Sequence, residues 1–235
     1  MSTSADGVGG WRESGIDPGE YSRTLMRMAC EYFEERVGEP APGDTKAAED
    51  MARNAIAAAH QKTHMPGSST VCILALNPHD KFVSAANLGD SGFAVVRNGT
   101  VVFQTPALQH FFDCPFQLGS YPDYVDATDY PSDAATYSLN VMPGDVIVMG
   151  SDGLWDNCPM QEIIQLLPDT DDAIEASAEV LATVAREHAG ARRSAPHRSP
   201  GPVHVRRTCT PARCCTCVRG HRRGGHAQFQ SNVCK

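Results

Sequence analysis

The sequence has no run of apolar residues that approaches the roughly 20 needed to cross a membrane as a helix. Its N-terminal segment contains neither a basic stretch nor an apolar stretch, so we expect no secretory signal peptide. A membrane partner is therefore not expected. The hydrophobic fraction of 41% is ordinary for a globular protein, and 235 residues suffice for one domain with an appendage.

Acidic residues are missing from the end of the chain, where no Asp or Glu follows Glu187. Residues 1–190 carry all 28 acidic side chains and 10 Lys and Arg, a net charge of −18. Residues 191–235 carry only the other 10 Lys and Arg, a net charge of +10. This break predicts a domain over residues 1–190 followed by a basic tail over 191–235. The tail has few apolar side chains and no periodicity, so we expect it to be disordered.

Cysteine is scarce in residues 1–190 and crowded in the tail. The four cysteines of residues 1–190 stand mostly among apolar neighbours, which predicts buried, reduced thiols, whereas five lie in the tail. Three interpretations of the tail stay open. The first is a zinc site built on Cys214 and Cys217 with Cys209, His221 and His226. The second is binding of nucleic acid or acidic lipid by charge alone, and the third is translation of an intron or a shifted reading frame. The sudden change in composition favours the last, so a nucleic-acid partner is not expected.

Apolar periodicity divides residues 1–190 into helices, then strands, then helices. Asp17-Pro18 is typical of a helix start, and an alanine-rich second helix is predicted over about 45–61. Asn98-Gly99 predicts a tight hairpin. Six short segments rich in β-branched residues predict strands: STVCILAL, KFVSAANLG, GFAVVR, TVVFQ, TYSLN and DVIVMG. Further helical segments follow, and this order predicts an α+β fold with antiparallel sheets.

Three aspartates stand beside glycine at predicted turns or strand ends: Asp6-Gly7, Gly89-Asp90 and Asp152-Gly153. Each alone indicates a turn in which the carboxylate caps a backbone amide. A fold that gathers all three would set like charges against one another, at about 4 kcal/mol per pair for a separation of about 4 Å. A divalent cation would remove that repulsion, and carboxylate oxygens suit Mg²⁺ or Mn²⁺ rather than zinc.

The chain resembles the metal-dependent type 2C serine/threonine protein phosphatases in four motifs that match in order and spacing. These motifs are ADGVGGW (5–11), GSSTVCILAL (67–76), ANLGDSGFAVVRNG (86–99) and VIVMGSDGLWDN (146–157). A further segment, QHFFDCPFQLG (109–119), is similar to the branch of that family with mitochondrial and plastid members. The resemblance covers residues 5–188 and implies a mitochondrial or plastid location.

The resemblance implies a four-layer α-β-β-α sandwich of two antiparallel sheets flanked by helices, with two Mn²⁺ or Mg²⁺ ions at one end. It assigns Asp6 as the carboxylate that bridges both ions and the Gly7 carbonyl as a ligand. Asp152 is assigned as a ligand of the second ion, and Asp90 as part of a weaker third site. Asp6 and Asp152 are thereby the catalytic residues. The implied reaction is hydrolysis of phosphoserine and phosphothreonine in proteins by water that the metal activates.

Other motif residues are expected to have structural roles. Trp11 and Trp155 are predicted to anchor the two motif turns by packing. Asp156-Asn157 is predicted to cap the helix that follows. His110 is expected to be packed or solvated rather than catalytic. Some relatives carry a histidine proton donor two residues after the first motif aspartate, where this chain has Val8.

The sequence departs from the family pattern at both ends. The family carries upstream strands with a phosphate-binding arginine and an acidic residue, and a late Asp-Asp segment with another metal ligand. Only five residues precede Asp6 and no acidic residue follows Glu187, so we expect these features to be missing. The sandwich is therefore expected to be incomplete, and two functions stay open: catalysis, or a non-catalytic phosphatase-like fragment that retains only a binding role.

Overall fold

The helices and strands are taken from a computed structural model, which describes residues 1–36, 45–77, 82–120, 128–167, 174–194, 215–223 and 226–231. In these ranges the α-helices are α1 (Pro18–Glu34), α2 (Thr45–Lys62), α3 (Asp152–Trp155), α4 (Met160–Gln165) and α5 (Ile174–Ser194). Short 3₁₀ helices span Gly9–Ser14 and Pro131–Asp133. The strands are β1 (Ser2–Ser4), β2 (Gly67–Ser69), β3 (Val71–Asn77), β4 (Phe82–Leu88), β5 (Gly92–Arg97), β6 (Thr100–Gln104), β7 (Gln109–Phe111), β8 (Cys114–Pro115), β9 (Leu118–Ser120), β10 (Ala135–Asn140), β11 (Val146–Gly150), β12 (Cys215–Arg223) and β13 (His226–Ser231).

The predicted helix start at Asp17-Pro18 is confirmed, because α1 begins at Pro18 and the Asp17 carboxylate accepts a hydrogen bond from the Gly19 amide at 3.0 Å. The predicted second helix is confirmed as α2. None of the helices in the described ranges is both long enough and apolar enough to span a membrane.

Two larger sheets carry the fold, and every strand pair in them is antiparallel. One has the order β1-β3-β4-β10 and the other the order β13-β12-β11-β5-β6, beside the two-stranded sheets β2-β9 and β7-β8. The predicted α+β class with antiparallel sheets is confirmed. The predicted hairpin is confirmed as well, since Asn98 and Gly99 join β5 to β6 with φ angles of 50° and 73°.

Strand residues alternate between two cores, which explains why the strands are almost continuously apolar. In β3, Val71 and Ile73 pack with α1 and α2, whereas Cys72 and Leu74 pack against β5 and β11 of the other sheet. Residues of β11 alternate likewise between that shared core and a third core. The third core joins β11 to α3, α4 and α5 through residues such as Val148, Leu154, Ile163 and Leu181.

The basic tail differs in part from the expectation of disorder. Helix α5 continues to Ser194, and β12 and β13 lie within residues 191–235, where β12 pairs with β11. A strand can pair through its backbone whatever its side chains, and the edge of β11 offers unpaired amides and carbonyls to any extended segment. Apolar periodicity, on which the expectation rested, cannot detect such pairing. The domain boundary and the origin of the tail stay predictions.

Candidate metal centre

The main chain of Asp6 is held by Ser69, the last residue of β2, and by Thr70, which precedes β3. Its carbonyl oxygen accepts hydrogen bonds from the Thr70 amide at 3.0 Å and from the Ser69 hydroxyl at 2.8 Å. Its own amide donates to the Thr70 hydroxyl at 3.2 Å. Because the main chain is fixed on both sides of the residue, the Asp6 carboxyl group projects from a rigid support rather than from a free turn.

Gly7 lies where a side chain would not fit. It pairs with Ser69 in an isolated bridge, and an added Cβ would lie 2.1 Å from the carbonyl oxygen of Pro18, the first residue of α1. The glycine therefore lets the Asp6 segment approach the start of α1 closely.

Asp152 lies at the point where β11 ends and α3 begins. The Trp155 indole donates to the Gly150 carbonyl at 2.9 Å, so this tryptophan anchors the turn as predicted. The Asn157 amide donates to the Gly153 carbonyl at 3.0 Å. The prediction that Asp156-Asn157 caps the following helix is wrong, because Pro159 stands at the cap of α4 and the Asn157 side chain instead bonds back to α3.

Asp90 lies in the turn between β4 and β5. Gly89 has a φ of +105°, and its carbonyl accepts a hydrogen bond from the Leu108 amide at 2.9 Å. The buried Ser91 hydroxyl lies 2.7 Å from the hydroxyl of Thr70. Since Thr70 also binds the Asp6 backbone, this pair of buried hydroxyls connects the two aspartate turns.

The structure brings the three aspartate carboxyl groups together. Asp6 and Asp152 hydrogen-bond each other through their side chains, and Asp90 is close enough to act on both electrostatically. Burial, followed by the neighbouring Asp152 and then Asp90, raises the pKa of Asp6 to about 8. Burial, followed by Asp152, raises the pKa of Asp90 to about 6. These shifts express the cost of holding negative charges side by side out of water.

This donor set fits a hard divalent cation. A cation would replace the proton that the crowded carboxyl groups otherwise retain, and the side-chain donors are all oxygens, as Mg²⁺ and Mn²⁺ prefer. The structure thus gathers Asp6, Asp90 and Asp152, with Gly7 beside Asp6. Their individual roles as ligands and as catalytic residues stay predictions.

A cavity of about 270 Å³ opens beside these carboxyl groups. Asp90 and Asp152 line it together with Asp113 and Asp156, and Phe112 and Trp155 supply apolar surface. Sequence reasoning missed Phe112 and Asp113, which the turn between β7 and β8 places at the cavity. The sequence FFDC alone does not predict this position, because it depends on the β7–β8 turn folding back towards Asp90.

An aromatic hairpin, formed by β7, β8 and the turn between them, stands at the rim of the cavity. Phe111 and Phe112 are 70% and 74% exposed. The His110 ring stacks on Phe116 with 4.3 Å between ring centres and lies 2.9 Å from the Asp129 carboxylate. His110 is packed, as expected, and it fixes the base of a hairpin that holds two phenylalanines in solvent.

Comparison with known proteins agrees with this geometry. The family model described as Protein phosphatase 2C matches residues 2–192. A relative described as probable protein phosphatase 2C 80, from Arabidopsis thaliana, is 39% identical over 188 residues, which cover 79% of this chain and 42% of the relative. The human protein phosphatase PTC7 homolog is 38% identical over 195 residues, covering 78% of this chain and 61% of its own length. The chain therefore belongs to the protein phosphatase 2C family.

Solved structures extend the comparison to the fold. The X-ray structure of the photosystem II phosphatase PBCP superposes with a TM-score of 0.67 at 33% identity, covering 79% of this chain and 67% of that one. The catalytic domain of the serine/threonine phosphatase PstP, solved with two manganese ions, superposes with a TM-score of 0.57 at 15% identity, covering 80% and 81%. The chain spans about half the length of the curated relatives it matches.

Proposed function

We propose that this protein hydrolyses phosphoserine and phosphothreonine in phosphoproteins, using water activated by two Mn²⁺ or Mg²⁺ ions. The observation that carries this proposal is the acidic cavity beside the coupled carboxyl groups of Asp6 and Asp152. A phosphate dianion entering a cavity lined by aspartates is repelled unless cations stand between the two. Family membership supports the same reaction.

The proposed role of each residue follows from its position in the site. Asp6 and Asp152 would hold the ions, and the Gly7 carbonyl would add a ligand next to Asp6. Asp90 contributes to a weaker third site at the edge of the cavity. Bound ions of this kind lower the pKa of coordinated water to near 7 and neutralise charge on the phosphoryl oxygens. The finer architecture that we propose is a four-layer α-β-β-α sandwich. Three cores support it: one between α1, α2 and the first sheet, one between the two sheets, and one between the second sheet and α3, α4 and α5.

The test is phosphate release from a phosphothreonine peptide by the full chain, measured with Mn²⁺ and with a chelator. We expect release only with Mn²⁺. Asp152→Asn should lower the rate by at least about 10- to 100-fold, because it weakens ion binding. Asp113→Asn is the matched control, since Asp113 lines the same cavity and its positive φ of 63° is one that asparagine also adopts.

Two results would overturn the proposal: release that does not depend on the metal, or equal rates for Asp152→Asn and the unmodified chain. Ion binding without any release would favour the second candidate, a phosphatase-like fragment with only a binding role.

A mitochondrial or plastid location is part of the proposal. It rests on the similarity of residues 109–119 to that branch of the family and on the likeness to a photosystem II phosphatase. Cell fractionation followed by immunodetection of the native protein tests it, and recovery only outside these organelles would contradict it.

A further inference from the structure

Cys158, Glu162 and His188 come together outside the lining of the acidic cavity. The Cys158 sulfur, a carboxylate oxygen of Glu162 and a ring nitrogen of His188 all lie within 4.8 Å of one another. We propose that this cluster is a separate metal site that binds Zn²⁺.

The three residues come from three elements that the third core holds in place. Cys158 follows α3, is buried, and donates its amide to the Leu154 carbonyl at 2.9 Å. Glu162 lies in the first turn of α4, and His188 lies in the second half of α5. Packing of α3, α4 and α5 around Leu154 therefore fixes the backbones from which all three ligands project.

One pair of the three ligands already has the spacing of a tetrahedral zinc site, and the other pairs lie within 4.8 Å. Ligand atoms at about 2.0 to 2.3 Å from zinc stand roughly 3.3 to 3.6 Å from one another. The His188 Nδ1 atom and the Glu162 Oε2 atom are 3.6 Å apart. The Glu162 and His188 side chains are 34% and 39% exposed, so both can adjust and a cation can enter from solvent.

The donor set separates this site from the aspartate centre. A thiolate with an imidazole and a carboxylate suits Zn²⁺, whereas the all-oxygen set of Asp6, Asp90 and Asp152 suits Mg²⁺ or Mn²⁺. His188 Nδ1 lies 2.9 Å from the Asn157 carbonyl oxygen. Binding through Nε2 would keep this bond as an orienting contact, and binding through Nδ1 would replace it.

Zinc at this site would fasten α4 and α5 to the turn that follows α3. Asn157, next to Cys158, already holds Gly153 in α3, the helix that begins at Asp152. The cation would thus stabilise the segment that carries one of the predicted ligands of the aspartate centre. The competing explanation is a Glu162–His188 ion pair beside an ordinary core thiol, and the two explanations differ in whether the thiol binds metal.

Cobalt substitution tests the site, because Co²⁺ bound to a thiolate gives a charge-transfer absorption in the near ultraviolet and Co²⁺ bound to oxygens does not. The reference is the full chain with the tail cysteines replaced by serine: Cys209, Cys214, Cys215, Cys217 and Cys234. We expect the absorption to rise to a plateau as Co²⁺ is added and to disappear when Zn²⁺ is added.

Variants assign the ligands. Cys158→Ser should abolish the absorption, and Glu162→Gln and His188→Gln should each weaken Co²⁺ binding at least about tenfold. Cys114→Ser, which alters a half-buried thiol outside the cluster, should leave it unchanged. Circular dichroism checks that each variant folds. If Cys158→Ser does not fold, Co²⁺ binding by His188→Gln tests the site instead, because His188 is half-exposed and its replacement should not disturb the core. The proposal is overturned if the reference shows no such absorption, or if it survives in Cys158→Ser or is unchanged in His188→Gln. None of these measurements depends on phosphatase activity.

Discussion

The carboxyl groups of Asp6 and Asp152 hydrogen-bond each other although they follow strands of different sheets, β1 and β11. Two carboxylates in this position repel each other, so in the metal-free chain one proton is shared between them. This relationship makes the stability of the fold sensitive to pH and to divalent cations.

The metal-free chain should lose stability as pH rises from about 4 to about 8. The pKa of Asp6 is raised from 3.8 to about 8 in the folded chain, so the stabilising contribution is complete below the unfolded value and is lost as pH rises through the folded one. Thermal unfolding measured with a chelator should show this decline, and added Mn²⁺ should reverse it at pH 8.

Two variants test the pH effect. Asp6→Asn removes this titration and should make the decline shallower, leaving the part that comes from Asp90, whose pKa burial raises to about 6. Asp113→Asn, also beside the cavity, should keep the full slope. A metal-free profile that rises with pH over this range would contradict the assigned pKa shift.

Thr70 should matter for metal binding through its hydroxyl. Thr70→Val leaves the Ser91 hydroxyl and the Asp6 amide without this partner, at a cost of about 1–3 kcal/mol in the free energy of unfolding. Because the pair joins two aspartate turns, Mn²⁺ affinity should also fall. Thr70→Ser keeps the hydroxyl and should restore the affinity. Equal Mn²⁺ affinity in the valine and serine variants would show that the hydroxyl pair does not position the carboxyl groups.

Gly7→Ala should destabilise the fold by about 1–3 kcal/mol, because the new methyl group would meet the Pro18 carbonyl oxygen. Gly10→Ala is the control, since an added Cβ there meets no atom within 4 Å. Urea unfolding of the two variants measures the difference. If both variants lose the same stability, the close approach to α1 is not what requires glycine at position 7.

The aromatic hairpin should recognise protein substrates. Replacing Phe111 and Phe112 together by alanine removes exposed side chains, so the free energy of unfolding should change by less than about 0.5 kcal/mol for each. Turnover of a small phosphate ester should change much less, because only Phe112 of the two lines the cavity and it is 74% exposed. Turnover of a phosphoprotein, expressed as kcat/KM, should fall about tenfold, which is the effect of losing an aromatic contact worth somewhat more than 1 kcal/mol.

Val102→Ala provides the comparison for the hairpin, since Val102 is 48% exposed on β6 and does not line the cavity. It should leave both rates unchanged. An equal loss on the small ester and on the phosphoprotein would mean that the phenylalanines support the cavity rather than bind substrate.

Sequence patterns predicted the features that depend on residues close together in the chain. The cap at Asp17, the Asn98-Gly99 hairpin and the strand segments follow from short-range preferences, and motif resemblance identified the aspartates that the fold gathers. Pairings between distant segments escaped prediction. The Thr70–Ser91 contact depends on how β3 and β4 pair, and the pairing of β12 with β11 depends on a free sheet edge, so neither leaves a mark in local composition.

The Asn157 contact shows a different limit. Asparagine before a helix commonly caps it, and the sequence alone offers no reason to expect otherwise. In the structure α3 ends at Trp155, the Asn157 side chain turns back to the Gly153 carbonyl, and Pro159 stands at the cap of α4. The proximity of Cys158 and His188 could not be predicted from the sequence either, because it depends on how α5 packs on α3.

Calorimetric titration of Mn²⁺ into the metal-free chain tests the central claim most directly, because it measures the aspartate centre without requiring turnover. We predict binding in the unmodified chain and in Asp113→Asn, with affinity reduced at least about tenfold in Asp6→Asn and in Asp152→Asn. Equal Mn²⁺ affinity in the unmodified chain and in both of these variants would contradict the claim that the two carboxyl groups form a metal centre.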